Sequence, residues 1–327
     1  MKIGPRPKFF FKLAISLGLV IYLAVSISWR QVWDSLLGAK PGWIALGYLL
    51  GVGILYLQAW RWKILLRIPG LPVHKYLHFI YVGMFYRIIL PGSLSADMLK
   101  VVLFGKKYNK PLHESSVIFF SQFLGLALQG AIGLVGLFYF GAPLLEVIEK
   151  AELSWRKLAL LGGAGAALLI AIPFVPAFRA FLARLFQAMR TAIGVPGVLA
   201  RVLWVTLGIQ ILMIGSAFCI FWGVGVEIPV LFLCFQMALA NALVALPISI
   251  SGLGVVEYLN IFLIQNTLGT PAAQIIAVSV VSYSLMIINA MIGGAWILWR
   301  NLTVGGGTTD RVRPEPLEPT PSDKPRT

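Results

Sequence analysis

The chain has 327 residues, of which 59% are apolar and 12% are charged, and its mean hydropathy is +0.87. A soluble domain is about half apolar and a quarter charged, so this composition excludes a soluble fold. The formal net charge of +15 does not indicate nucleic acid binding, because the Lys and Arg residues lie in short connections between apolar runs, where such an excess marks the cytoplasmic side of a membrane.

The apolar runs are close to the roughly 20 residues that a helix needs to cross about 30 Å of hydrocarbon. They predict an all-α, polytopic membrane protein with about six transmembrane helices. The first, around Leu13 to Ile27, is interpreted as an uncleaved anchor, with a cleaved signal peptide as the alternative. The other predicted spans are Trp43 to Trp60, Ser115 to Phe140, Leu158 to Pro176, Val202 to Val224 and Ala272 to Trp299.

Two further apolar stretches are interrupted. The first, Leu77 to Phe104, is broken at Leu90-Pro91-Gly92-Ser93, and the second, Leu231 to Leu268, is broken at Leu246 to Gly252. The leading limb of the first is too short to cross the bilayer, and basic residues flank the stretch on both sides. Both are therefore predicted to be re-entrant hairpins. Two short spans are the alternative for the second, and proline kinks in ordinary spans are the alternative for both.

The charge distribution then predicts the topology. With both hairpins re-entrant and both termini cytoplasmic, every basic cluster lies on the cytoplasmic face, and the acidic connection Gly141 to Lys157 lies outside. Residues 1–300 form one transmembrane domain of two inverted halves, about 9–140 and 158–299, each reading span, span, broken hairpin, span. Residues 301–327 are Pro-rich and predicted to be a disordered cytoplasmic tail.

The paired breaks predict a binding site, because inverted-repeat transporters use Pro- or Gly-interrupted segments in corresponding halves to form a site near mid-membrane. Serine hydroxyls and glycine backbone at the breaks can bind a phosphate headgroup at helix N-termini, or simply cap the helix ends. Arg87 and Asp97 flank the first break and are expected to pair, and Lys100 lies either beside them or at the cytoplasmic flank. The candidate substrate-binding residues are Arg61, Arg87, Ser93, Ser95, Asp97, Lys100, Ser249, Ser251, Gly254 and Glu257.

Glu257 is the most informative candidate, because the chain contains no Lys, Arg or His between Arg201 and Arg300. Its charge requires a basic partner from the first half, a bound proton, or a substrate or ion, unless it lies at the outer headgroup level. The expected basic partners are Arg61, Arg87 and Lys100. We predict that Glu257 pairs across the two halves and exchanges a proton during transport.

Other polar residues have structural interpretations. Gln122, Gln129, Gln210 and Asn241 are predicted to hold helices together, and Gly47-x-x-x-Gly51 is a weak helix-packing motif. The three histidines are far in sequence from the serines at the second break, and no Walker A or metal-binding motif is present. We therefore expect no enzymatic activity, no cofactor and no metal.

Three motifs resemble one family. Arg61-Trp62-Lys63-x-x-Leu66, Leu90-Pro91-Gly92-Ser93 followed by Asp97, and Leu246-Pro247-Ile248-Ser249-Ile250-Ser251-Gly252-Leu253-Gly254-Val255-Val256-Glu257 are similar to the lysylphosphatidylglycerol synthase transmembrane region family of flippase-like membrane proteins. The similarity runs roughly from Phe9 to Arg300. It implies an all-helical, flippase-like fold and a role in moving or presenting amphipathic lipids. Relatives in the family are tied to aminoacylated phospholipids, hopanoids and polyprenyl-linked sugars.

The sequence departs from the family pattern at two places. Val256 stands where relatives often have Arg, and Ser121-Gln122 stands where they have an acid–Arg pair. Both changes remove basic groups, which weakens the expectation of a strongly anionic headgroup. The aminoacyl-transfer domain of the bifunctional synthases is not found in this sequence, so that activity is not expected.

The sequence thus predicts a lipid translocator or lipid-presenting protein of the cytoplasmic inner membrane. Its expected partners are membrane lipids, whether phospholipid, hopanoid or polyprenyl-linked, and not nucleic acid. The alternatives are a proton-coupled transporter of a small solute and a non-transporting scaffold for a lipid-modifying enzyme.

Overall fold

The computed structural model describes the backbone of residues 25–89, 93–108, 117–150, 197–245 and 254–304, with Gly18, Ile21 and Tyr22, and the side chains of residues 25–88, 99–108, 124–140, 197–244 and 254–299. This part of the chain forms nine α-helices and no strand, which confirms the predicted all-α class. The predicted span Leu158 to Pro176 and most of the first span lie outside the described residues. The helices are α1 (Trp29–Leu37), α2 (Pro41–Leu66), α3 (Val73–Ile89), α4 (Ser93–Lys107), α5 (Val117–Lys150), α6 (Val198–Val224), α7 (Val230–Ala245), α8 (Val255–Leu268) and α9 (Ala272–Val304).

Among the described residues, three helical segments are long and apolar enough to cross a membrane. They are Pro41–Leu66, Val198–Val224 and Ala272–Trp299, and each contains a span predicted from the sequence. The described part also contains two shorter apolar helical segments, Leu124–Phe140 in α5 and Val230–Val244 in α7. The protein is therefore a multi-pass membrane protein.

The helices α2 and α6 pack closely and antiparallel. Ser216 donates a hydrogen bond to the Gly47 carbonyl at one end (2.8 Å), and Arg61 donates to Thr206 at the other (3.3 Å). The absence of a side chain at Gly47 allows this approach, because a Cβ there would lie only 3.0 Å from Ile220. The predicted packing role of Gly47 is thus confirmed.

Tryptophans mark both ends of this helix pair. Trp43 and Trp222 pack together at one end, with ring centroids 6.3 Å apart, and Trp60 and Trp204 are exposed at the other. The helix rise between Trp43 and Trp60 is about 26 Å, close to the thickness of the hydrocarbon core. Tryptophan is enriched at membrane interfaces, so these residues define the two headgroup levels.

The first broken stretch folds back on itself. One helix, α3, ends at Ile89 and the next, α4, begins at Ser93, so the predicted interruption is confirmed. Phe79 packs against Phe104, with ring centroids 5.1 Å apart, while Gly83, nearer the break, faces Lys100. Contacts that converge on the break in this way define an antiparallel hairpin.

The second broken stretch is also a hairpin. Its limbs, α7 and α8, are joined by a hydrogen bond from Gln236 to Asn260, and the break itself lies outside the described residues. The four limbs of the two hairpins have 17, 15, 16 and 14 residues. The limbs α4, α7 and α8, at about 21 to 24 Å, are shorter than the hydrocarbon core, whereas α3, at about 26 Å, nearly reaches its thickness.

Each hairpin packs against a long helix of the other half. The first hairpin packs through α3 against α9 of the second half, and the second hairpin packs through α7 against α5 of the first. Glycines permit close approach at both crossings: a Cβ on Gly293 would overlap the Tyr81 carbonyl, and one on Gly136 would lie 2.5 Å from Phe235. Each hairpin is therefore anchored on a long helix of the other half.

Two sequence-based boundaries are wrong, and one helix was not predicted. The helix α9 continues to Val304, although a disordered tail was predicted from Asn301 onwards. The helix α5 continues to Lys150, although a connection was predicted from Gly141 onwards. Falling hydropathy marks where a helix leaves the hydrocarbon and not where it ends. The helix α1 was not predicted: it buries Val32 against the second half and exposes a stripe formed by Trp29, Trp33 and Leu37.

Candidate functional site

Glu257 caps the helix that returns from the second break. Gly254, at the N-cap of α8, has φ 81°, a conformation that glycine adopts without strain. Its backbone N–H donates a hydrogen bond to Glu257 Oε2 over 2.6 Å. A carboxylate three residues after the N-cap satisfies a free N–H and interacts favourably with the helix dipole. The local sequence Gly-Val-Val-Glu therefore fixes the carboxylate at the start of the limb.

A tyrosine from the neighbouring helix completes this arrangement. The Tyr283 hydroxyl, on α9, donates to Glu257 Oε1, and Glu257 is only 7% exposed. Both partners come from the second half, whereas a basic partner from the first half was expected. Among the described residues, no Lys or Arg hydrogen-bonds to this carboxylate.

The depth of Glu257 in the membrane follows from Ser284, the residue after Tyr283 on α9. Ser284 contacts the Tyr48 hydroxyl, which also donates to the Val281 carbonyl over 3.1 Å. Tyr48 lies five residues beyond Trp43, about 8 Å inside that headgroup level. Tyr283 therefore lies within the hydrocarbon region, which argues against the outer headgroup level as the location of Glu257.

A second polar pair lies one turn along α8 from Glu257. The Gln236 side chain, 4% exposed, donates to Asn260 across the hairpin. Its own Oε1 has no hydrogen-bond partner among the described residues. Sequence reasoning missed Gln236, Asn260, Tyr283 and Tyr48, although polar side chains inside apolar helices are a recognisable signal.

The first hairpin contributes a buried cation. Lys100 is 8% exposed and its methylene chain lies over Gly83, where any Cβ would overlap it. Lys100 is therefore packed inside the hairpin and not exposed at its flank. Arg87, half-buried, lies in the last turn of α3 beside the break. The predicted Arg87–Asp97 pair is untested, because the side chains of Ser93, Ser95 and Asp97 at the start of α4, and the whole of Ser249 and Ser251, lie outside the described residues.

The structure does not bring Arg61 to Glu257. Arg61 is buried among α2, α5 and α6, where it donates to Thr206, whereas Glu257 is held between α8 and α9. Gln210 donates to the Gly125 carbonyl over 2.8 Å, so its predicted role in joining helices is confirmed. Within the described segments, no group of three or more His, Cys, Asp or Glu residues could hold a metal ion.

The family model described as the lysylphosphatidylglycerol synthase TM region matches residues 9–294. The chain belongs to this family. The match covers both hairpins, Arg61 and Glu257, and it associates this membrane protein with lipid handling. No curated protein and no solved structure matches the chain.

Proposed function

We propose that this member of the lysylphosphatidylglycerol synthase TM region family translocates or presents an amphipathic lipid in the cytoplasmic membrane, without converting it chemically. The headgroup contacts the two hairpins while the acyl or isoprenoid tail stays in the bilayer. The observation that carries the proposal is the buried Glu257 carboxylate, held only by Gly254 and Tyr283 among the described residues.

A buried carboxylate without a basic partner is unfavourable in a low-dielectric environment. It is retained where a proton, an ion or a polar substrate group supplies the missing interaction. The N–H of Gly254 and the hydroxyl of Tyr283 occupy two acceptor positions of the carboxylate. Among the described residues no other donor contacts the carboxylate, so its remaining lone pairs can accept hydrogen bonds from a headgroup.

The two hairpins are arranged to act on one headgroup. The helix α3 runs against α9, with His78 beside Trp296 and Tyr81 opposite Gly293. The two helices are antiparallel, so later residues of α3 lie beside earlier residues of α9. The end of α3, which carries Arg87, therefore approaches the level of Tyr283. Cationic groups of the first half and the carboxylate of the second can then contact different parts of one headgroup.

The outer surface of the bundle suits the lipid tail. Large apolar side chains on three helices, Leu49 on α2, Leu134 on α5 and Met291 on α9, are each 67% exposed. Such a surface is stable only in contact with hydrocarbon. A tail can therefore remain in the bilayer while the headgroup moves along the hairpins.

The test is a headgroup-accessibility assay in proteoliposomes with labelled phospholipid and labelled polyprenyl-phosphate lipid. Wild-type protein is expected to flip at least one of them, and Glu257→Gln is expected to slow flipping by about tenfold or more, because it changes the charge at the site. The matched control is Glu227→Gln, since Glu227 is exposed in the connection between α6 and α7.

Flipping that is equal in wild type and Glu257→Gln would contradict the proposed site. Absence of flipping for both lipids, with the protein folded, would instead favour the transporter of a small solute or the scaffold for a lipid-modifying enzyme.

A further inference from the structure

Arg61 is a buried cation with unused hydrogen-bonding capacity. It is 2% exposed, and its Nη1 donates to Thr206 Oγ1 over 3.3 Å. The Thr206 hydroxyl donates in turn to the Val202 carbonyl over 2.7 Å, so towards Arg61 it can only accept. Arg61 Nε has no partner among the described residues.

The helices around Arg61 offer no counter-charge. The sequences of α2 and α6 contain no Asp or Glu, and the acids of α5, Glu146 and Glu149, lie more than twenty residues from Gly125, or about 30 Å along the helix. A buried guanidinium without an anion is strongly unfavourable. The position therefore indicates an anion from outside these helices.

A second donor points at the same place. If Gly125 carried a Cβ, that atom would lie 3.8 Å from Gln210 Nε2 and 3.9 Å from Arg61 Nη1. The Gln210 amide keeps one N–H after its hydrogen bond to the Gly125 carbonyl, and its nitrogen and Arg61 Nη1 both lie close to the face of Gly125. A planar guanidinium and a neighbouring amide can together bind several oxygens of one tetrahedral anion.

The depth of this cluster matches the phosphate layer. Arg61 directly follows Trp60, and Thr206 lies two residues after Trp204; the two tryptophans are 46% and 72% exposed. They mark one headgroup level, as described above. Lys63 and Arg201, both exposed at this end of the helix pair, add positive charge around it.

We propose that Arg61, Thr206 and Gln210 form a binding site for a phosphate oxyanion, supplied either by a phospholipid headgroup or by free phosphate. The site lies between α2, α5 and α6 and is separate from Glu257. It does not depend on the protein translocating lipid.

The test is titration calorimetry of the purified protein, delipidated in detergent, with three probes. These are dihexanoylphosphatidylglycerol, inorganic phosphate, and dihexanoylglycerol, which has the same chains without phosphate. Wild type is expected to bind one or both phosphate-bearing probes and not dihexanoylglycerol. Arg61→Gln should weaken that binding by about tenfold or more, since a hydrogen bond to a charged group is lost with the charge.

The matched control is Lys63→Gln, which removes the same charge from the exposed face of the same helix and should bind within about twofold of wild type, as a surface charge contributes little. Should Arg61→Gln not fold, Arg61→Lys and Gln210→Leu are measured in its place, and each should weaken binding by several-fold. Binding of the phospholipid alone identifies a lipid site, and binding of phosphate that competes with it identifies a general phosphate site.

The proposal is overturned if wild type binds neither phosphate-bearing probe, or if all the Arg61 and Gln210 variants bind them as wild type does. The lipid-flipping assay varies Glu257 and the calorimetry varies Arg61 and Gln210, so a failure of lipid flipping and a failure of the phosphate site are distinguishable.

Discussion

The Glu257 carboxylate owes its position to two donors that differ in origin. The N–H of Gly254 is local, and the Gly-Val-Val-Glu sequence predicts such a cap. The Tyr283 hydroxyl comes from the following helix, 26 residues along the chain. The sequence therefore indicated that Glu257 needs a partner but not which one, because a hydroxyl in an apolar helix gives no sign of the direction in which it points.

We predict that Tyr283→Phe destabilises the protein by about 1.5 to 3 kcal/mol, the usual value of a hydrogen bond to a charged group. The measurement is thermal unfolding in detergent, with Tyr258→Phe as the control, since Tyr258 is 49% exposed. In a double-mutant cycle, Tyr283→Phe should have a smaller effect in the Glu257→Gln background than in wild type. Equal effects in the two backgrounds would show that the hydroxyl does not act through Glu257.

At the scale of elements, the fold depends on glycines where hairpins cross long helices. Gly293 meets the backbone of α3 at Tyr81, and Gly133 and Gly136 meet α7 near Ala238 and Phe235. Inside a bilayer the hydrophobic effect does not drive helices together, because lipid tails are as apolar as the side chains. Close approach of the backbones at glycines therefore stabilises the packing through van der Waals contacts. Only Gly47-x-x-x-Gly51 was selected from the sequence, because glycines are frequent in apolar helices and their spacing does not identify the partner.

We predict that Gly293→Ala destabilises the protein by about 1 to 3 kcal/mol, because the new methyl group overlaps the Tyr81 carbonyl and α3 has to move. The matched substitution is Gly130→Ala on α5, where a Cβ would meet no atom within 4 Å. That change should be neutral or stabilise the helix by up to about 1 kcal/mol. Thermal unfolding of both variants decides the matter, and a neutral Gly293→Ala would contradict the described crossing.

The whole molecule has two chemically different ends. Lys40 and Glu227 lie at the end marked by Trp43 and Trp222, where the Lys40 backbone N–H donates to the Gly223 carbonyl over 2.7 Å. Lys63 lies at the end marked by Trp60. The excess of Lys and Arg in the connections predicts that the Trp60 end faces the cytoplasm.

We predict that a membrane-impermeant maleimide labels Glu227→Cys in intact cells, and labels Lys63→Cys only after permeabilisation. Both are exposed positions, whereas the native Cys219 and Cys234 are buried, so the wild-type chain is a suitable unlabelled background. The reverse labelling pattern would invert the predicted orientation and place the Arg61 cluster at the outer leaflet.

The sequence by itself determined the class, the interruption of two apolar stretches and the lack of basic residues near Glu257 along the chain, because hydropathy, proline and charge act locally along the chain. Only the tertiary structure decided that the broken stretches fold into hairpins, that each hairpin packs on the other half, and that Arg61 and Glu257 lie between different helices. These outcomes depend on which faces of the helices pack together. In an apolar helix, one face differs from another only by single glycines and hydroxyls, and hydropathy does not show which face carries them.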